Sequence, residues 1–429
     1  MKKPKICGII CEYNPFHSGH KYHIDEARKI SGADFVIAVM SGNFVQRGEP
    51  AIFDKWARTE MALKCGADMV LELPTAYALS SAEYFASGAV DILQKTGIVT
   101  HISFGSESFW DNAGVRKLSK IAELTLLGPS VDRKSLDKGA SFAAASRNSV
   151  VTMPNDILAT EYLRAMRRLD AKMEVVPVKR VGEGHVGYGS AMSIRRFLAD
   201  GKIDEAEKCM PAEAFEILQR EIEVGRGPVN AKSFNNIVLA DLRRLRVEGL
   251  RDKPFVSEGL EYKIYSAACE SGSYEELVSR CTSKRYTSSR IRRIVFASML
   301  GVKRKMLSEP VPYIRVLGMR RSCGRLKDML DCSAKVPVIT SKAKFMRSLE
   351  QDCGAMLRAL PEKLTCKPSS ALSGMASGEF CVNEYDAYAK TAAEFLRVDN
   401  NAADLYSLAF KNAKSRVGAS ELTHPLIFV

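Results

Sequence analysis

The chain has 429 residues, 46% apolar and 26% charged, the composition of a folded globular protein long enough for more than one core. No apolar run nears the roughly 20 residues of a membrane span, and eleven cysteines without one CxxC pair argue against a zinc ribbon or disulfide framework. The formal charge of +13 is localised: from Cys281 to Arg347, 17 Lys and Arg face only Glu309, Asp328 and Asp331, a surplus that suits a polyanionic partner such as nucleic acid.

The opening MKKPKICGIICEYNPF has a basic tip, but its apolar run is short and soon meets Glu12 and Asn14. It reads as a first strand and not as a signal peptide. With free thiols, this sets the expectation of a cytoplasmic protein. KICGIIC (5–11) within it, DFVIAVM (34–40), DMVLEL (68–73), THISFG (100–105) and MEVVPVKR (173–180) read as the strands. Helices are expected to begin near Ser18, Asp54, Ser81 and Ala113. Such alternation implies an α/β fold, a parallel doubly wound sheet with its binding site along the strand C-termini.

Gly- and Pro-bearing VGRGPVN (224–230) marks the expected division. A Rossmann-like domain would occupy 1–225, and a mainly α-helical, basic domain 231–429. Within the latter, helices are expected from 231 to about 308, then short extended pieces at PYIRVLG (312–318) and VPVIT (336–340). Ser- and Gly-rich CKPSSALSGMASGEFC (366–381) reads as a loop.

NPFHSGHKYH (14–23) holds three of the six histidines just after the first strand. With a helix starting near Ser18, His17 and His20 flank Gly19 at a helix N-terminus, where free N–H groups and the helix dipole favour an anion. Two imidazoles three residues apart can converge on one phosphate and stabilise charge as pyrophosphate departs. Metal ligation, with Glu12 or Asp25 as the acids at hand, and a structural role are the alternatives; no metal ligand set is expected.

HxGH in this position resembles the nucleotidyltransferase superfamily. Its second motif, (I)SSTxIR, is matched in GSAMSIRR (189–196) by Ser190, Ile194 and Arg195, with Met192 in place of Thr and Ser193 alongside. GIICEYNPFHSGHKYHI, MSGNFVQRGEPAIFDKWAR, FGSE, MPNDILATEYLRAM, VPVKR, RYTSSRIRR, PYIRVLG, VPVIT and NAADLY extend the similarity from Ile6 to about Tyr406. Together they resemble the bacterial tRNA(Met) cytidine acetate ligase family. That resemblance implies ATP-dependent activation of acetate to acetyl-adenylate, then acetylation of N4 of the wobble cytidine in elongator tRNA(Met). It also implies ATP contacts from the loop spanning Ile10, Glu12, Tyr13, Asn14, Phe16, His17, Gly19, His20 and His23, and from Gly105, Asn155 and Arg180. Arg195 suits the triphosphate tail, and Mg²⁺ would be held mainly by the ATP phosphates. On residue chemistry alone, Asn155 could equally cap the helix that follows.

The aperiodic loop 41–54 offers Arg47 for a carboxylate or phosphate, whereas Asp54 reads as a helix cap. His101 reads as structural, and His185 lies near Arg195 in glycine-rich sequence. Arg285, Tyr286, Arg290, Arg292, Arg293, Lys303, Arg304 and Lys305 are the candidates for tRNA. Arg285, Ser289, Arg292 and Arg293 would share one helical side, with Ile291, Val295 and Met299 against the core. Two rival functions stand beside this one. A small-molecule adenylyltransferase would explain HxGH but not the basic half; a non-catalytic RNA-binding protein would explain the charge but not HxGH.

Overall fold

The computed structural model describes residues 3–126, 151–180, 189–351 and 377–429. Its strands are β1 (Ile6–Cys11), β2 (Phe35–Ser41), β3 (Phe44–Val45), β4 (Glu49–Pro50), β5 (Met69–Leu73), β6 (His101–Ser106) and β7 (Glu174–Lys179). Later in the chain come β8 (Ile314–Met319), β9 (Val338–Ile339) and β10 (Ile427–Phe428). The five expected strands pair in parallel in the order β5-β2-β1-β6-β7. Cys7 lies between Val36 and His101, so β1 is central and the strand order reverses beside it. The crevice above that reversal is where ligands bind in such sheets.

The helices on the two faces start where the caps indicate. α1 (Ser18–Ser31) begins at His17, and α2 (Lys55–Lys64) begins at Asp54, whose carboxylate accepts the Ala57 N–H at 2.8 Å. Helices Ala82–Lys95 and Asn112–Leu126 follow, then Pro154–Arg168 and Ala191–Ala199. Loop 41–54 also contains the small β3–β4 hairpin.

The division at 225–231 needs correction. β8, from the second half, joins β5 antiparallel, and both β9 and β10 pair with β8, so one sheet spans both halves. VGRGPVN is packed, with the Val229 N–H on the Ile52 carbonyl at 2.8 Å and a Gly227 Cβ position only 2.4 Å from Phe53. Phe44 of the hairpin meets Phe296 and Phe234 at ring separations of 5.3 and 5.7 Å, which continues the core into the helical half. Antiparallel insertion over 240 residues of sequence leaves no local periodicity to read.

Helices Asn235–Arg251, Leu260–Glu270, Tyr274–Cys281 and Ser288–Leu300 fill the expected helical stretch. Ile291, Val295 and Met299 are buried as expected, but Arg285 precedes the helix, which Thr287 caps. The segment 366–381 is helical from Ser377, in helix Ser377–Ser407; residues 366–376 lie outside the described residues. No described helix is long and apolar enough to cross a membrane.

Candidate active site

The C-terminal ends of β1, β6 and β7, with the loop that follows β2, open into a cleft of about 850 Å³. It is lined by Ile10, Glu12, Tyr13, Asn14, His17, Gly19, His20 and His23 from the β1–α1 passage. Arg47, Gly105, Asn155, Arg180, Ser190 and Arg195 complete the set that sequence reasoning assembled. Phe16 is the exception: it is fully buried, with its ring 4.8 Å from Tyr13 and 5.6 Å from His20, and it supports the loop from below. His185 lies outside the described residues.

The histidines have one arrangement that explains their spacing. His17 Nδ1 accepts the Gly19 N–H at 3.0 Å, and His20 Nδ1 accepts the His17 N–H at 3.3 Å, a capping box built from imidazoles. An accepting Nδ1 carries no proton, so each neutral ring is fixed with its proton on Nε2. The rings stack at 3.7 Å. Gly19 has a second purpose besides close approach of a ligand, because a Cβ there would sit 2.9 Å from His17 Cε1. Burial, then Arg180 and Arg195, push His17 down to about 3. Burial also lowers His20, with His17, His23 and Arg180 adding to it. Burial and then Arg180 push His23, bonded to Ser103 Oγ at 3.0 Å, down to about 4. The site therefore offers neutral N–H donors beside a fixed positive field.

That field comes from strand and helix ends. Arg195 donates to the Asn14 carbonyl at 2.6 Å, which ties helix Ala191–Ala199 to the HxGH loop. Ser190 and Ser193 are consumed in that helix's own capping box, so the motif's hydroxyls stabilise its N-terminus. A Cβ on Gly105 would lie 3.1 Å from Arg180 Cγ, so glycine gives Arg180 room at the end of β6. Asn155 is not a cap. Met153 is the N-cap, and Asn155, the second residue of the helix, holds Glu107 through its amide. His101 bonds Thr100 at 2.7 Å and stays in the strand. Trp110, half-exposed with Lys179 Nζ 4.5 Å from its ring, stands beside the cleft; an isolated aromatic in a loop gave no sequence signal.

Comparison with known proteins gives a consistent result. The family described as HIGH Nucleotidyl Transferase matches residues 4–421. The tRNA(Met) cytidine acetate ligase of Acetivibrio thermocellus is 40% identical, covering 81% of this chain and 90% of its own. That of Thermoanaerobacter sp. is 36% identical over 98% and 99%. The chain belongs to the tRNA(Met) cytidine acetate ligase family. Among solved structures, Thermotoga maritima TmcAL bound with alpha-thio ATP superposes with a TM-score of 0.85 at 32% identity, covering 99% of both chains.

Within this acetate ligase fold, the basic segment is more occupied than its local sequence suggested. Arg292 pairs with Glu49 and Arg285 with Glu258, while Lys303 and Lys305 share Glu394 at 3.0 and 2.9 Å. Arg290 donates to the Phe255 carbonyl at 2.8 Å and Arg304 to that of Val256 at 2.7 Å. Arg293 donates to the Gln46 carbonyl at 3.3 Å, and burial, then Arg290, pull it down to about 10. Tyr286 is flanked by Lys263, Arg285 and Arg290. Arg290, Arg293 and Arg304 thus brace loops. The acids and carbonyls that engage this segment lie tens to hundreds of residues away, so a count along the chain could not find them.

The neutral histidines predict acid sensitivity. Below the unfolded value near 6.5 the unfolded chain takes up a proton at His17 that the fold refuses down to about pH 3. Stability contributed by this group is full above pH 6.5 and is lost as pH falls, approaching about 1.4 kcal/mol per unit. Urea unfolding at pH 7.5 and 5 should show a smaller loss for His17→Asn, which keeps a capping oxygen. Equal losses in the two proteins would remove His17 from this role.

Proposed function

We propose that the chain activates acetate with ATP and transfers the acetyl group to N4 of the wobble cytidine of elongator tRNA(Met). The observation that carries this reading is the convergence of the imidazole-capped α1 terminus, Arg180 and Arg195 on one cleft at the reversal of strand order. A triphosphate lies with its anionic groups on that terminus. An acetate oxygen attacks the α-phosphorus, the α–β bridging bond breaks, and pyrophosphate leaves. His17 and His20, as Nε2–H donors, stabilise charge on the phosphoryl oxygens, and Arg195 takes the departing tail.

Mg²⁺ would rest mainly on the phosphates and neutralise their charge. The cleft carboxylates among the described residues are already engaged, Glu12 by the Gln46 N–H, Glu49 by Arg292 and Glu107 by Asn155. For tRNA, Arg285, Lys303 and Lys305 are the candidates with solvent-facing ion pairs, which phosphate can compete for. We also assign the protein to the cytoplasm, where tRNA and ATP meet.

The test is ATP turnover with acetate and total tRNA, each omitted in turn, followed by nucleoside mass analysis. AMP, pyrophosphate and N4-acetylcytidine formed only with all components support the reading. ATP joined to a small molecule without tRNA, or no ATP consumption, would replace it with one of the rival functions.

A further inference from the structure

We infer that Glu12 is the proton acceptor for the acetyl-transfer step, an inference that rests on the proposed function and adds a residue to it. A carboxylate is out of place in a cleft built for polyphosphate, since it repels the ligand. Its setting is nevertheless carefully fixed. Glu12 follows β1 directly, and its Oε1 accepts the Gln46 N–H at 2.8 Å. Arg58, wholly buried, donates to the Glu12 carbonyl at 2.6 Å and to those of Ser41 and Phe53 at 3.0 and 2.9 Å. That guanidinium is therefore spent on backbone and holds the main chain of Glu12 without quenching its side chain. Among the described residues no other hydrogen bond holds the carboxylate, and it lines the cleft.

His17, His20, Arg180 and Arg195 line the cleft with groups for phosphate, and Phe85, Ile157 and Leu158 are among its apolar lining, suited to a planar base. Glu12 feels Arg47, on the loop whose Gln46 N–H its carboxylate accepts, and then Arg195. The loop that carries Gln46 is itself tied to the basic helix, through Arg293 on the Gln46 carbonyl and Arg292 on Glu49. The basic helix is thus linked, through this one loop, to the residue whose N–H holds the Glu12 carboxylate.

The chemistry needs such a group. The lone pair of a cytosine exocyclic amine is delocalised into the ring, so it is a poor nucleophile until its proton can leave. N4 attacks the acetyl carbonyl carbon and a C–N bond forms. The bond from that carbon to the AMP phosphate oxygen breaks, and AMP departs with the electron pair. One N4 proton passes to the Glu12 carboxylate and then to solvent. Burial raises the Glu12 carboxyl above its ordinary range, opposed by the Gln46 N–H, Arg47, Arg195 and Arg58. Among the described residues, Cys11, which precedes it in the chain, and Tyr162 also lie in its field. A carboxylate whose proton affinity is raised by burial is better matched to this task than an ordinary exposed one.

The experiment separates the two half-reactions in the full-length protein. Acetate-dependent ATP–pyrophosphate exchange reports activation, and single-turnover transfer from isolated acetyl-adenylate to tRNA reports the second step. Both are measured from pH 5 to 8.5 for the native chain, Glu12→Gln and Glu12→Asp. Gln retains an oxygen for the Gln46 N–H, so the loop stays anchored. The native transfer rate should rise with pH to a plateau. Because Glu12 also lines the nucleotide cleft, Glu12→Gln is read as a ratio: transfer should fall at least about tenfold further than exchange does, and lose its pH dependence. Glu12→Asp should restore part of the rate and the acidic limb. Equal losses in both half-reactions, the signature of a ribose contact or of simple misfolding, would overturn the assignment, as would an acidic limb persisting in Glu12→Gln. A native chain that transfers no acetyl group to tRNA overturns the proposed function itself; native transfer with an unimpaired Glu12→Gln overturns the base alone.

Discussion

Replacing His20 with Ala should lower acetyl-adenylate formation by about 10²–10³-fold while leaving tRNA affinity within a factor of about two. The argument starts from two jobs on one ring. His20 Nδ1 accepts the His17 N–H at 3.3 Å, and this leaves its proton on Nε2 as a donor in the cleft. Alanine removes both. Gln is a common residue at this third position of a capping box, because its side chain reaches back to the N-cap N–H. His20→Gln should therefore regain the helix cap and the unfolding midpoint but little of the exchange activity. Pyrophosphate exchange and urea unfolding measured on the same three proteins decide the matter. If His20→Gln recovers activity in step with stability, the imidazole is a cap and not a phosphate donor.

That distinction also marks what the sequence could convey. Local features were legible because they are written in neighbouring residues. Ser18 as a helix start, Asp54 as a cap and the five strand cores all follow from composition within ten positions. HxGH located the cleft because a helix terminus and the end of β1 are consecutive in the chain. Which nitrogen carries the proton was not legible, since it depends on the hydrogen bond each Nδ1 makes in the folded loop. Glu12 read as one more residue in a nucleotide-binding passage, because Gln46, its anchor, is 34 positions away. The basic segment misled in the same way. Arg292 and Glu49 are 243 positions apart, so a charge that is paired in the fold counted as free in the sequence. The joining of both halves in one sheet has the same origin.

Glu421→Ala should destabilise the protein by about 3–5 kcal/mol, the largest stability loss we expect from one side chain. Glu421 comes from a short turn of helix near the C-terminus, yet it lies between Lys55 of α2 and Lys342, 2.5 Å from the latter. Lys55 also meets Glu72 of β5 at 2.5 Å, and Lys342 lies 3.8 Å from Asp399. All five side chains are almost fully buried. Burial alone would raise the Glu421 carboxyl, but Lys342 and Lys55 hold it at about 2, so it stays ionised. Removing it takes the shared carboxylate from both ammonium groups, so that Lys55 keeps only Glu72 and Lys342 only the more distant Asp399, and the broken buried network makes up the cost. The effect should spread to the cleft, because α2 also carries Arg58, which holds the backbone of Glu12 and Gly42. Trp56 of the same helix stacks on His424 at 3.9 Å, a second tie between the tail and the Rossmann sheet. Urea unfolding followed together with ATP-analogue binding tests both parts. A midpoint drop with parallel loss of nucleotide affinity is expected. If the midpoint is unchanged, the buried lysines have found other partners, and the C-terminal tail is not what closes the sheet edge; if it is confirmed, a 1–225 fragment would expose Lys55 and Glu72 and should not fold alone.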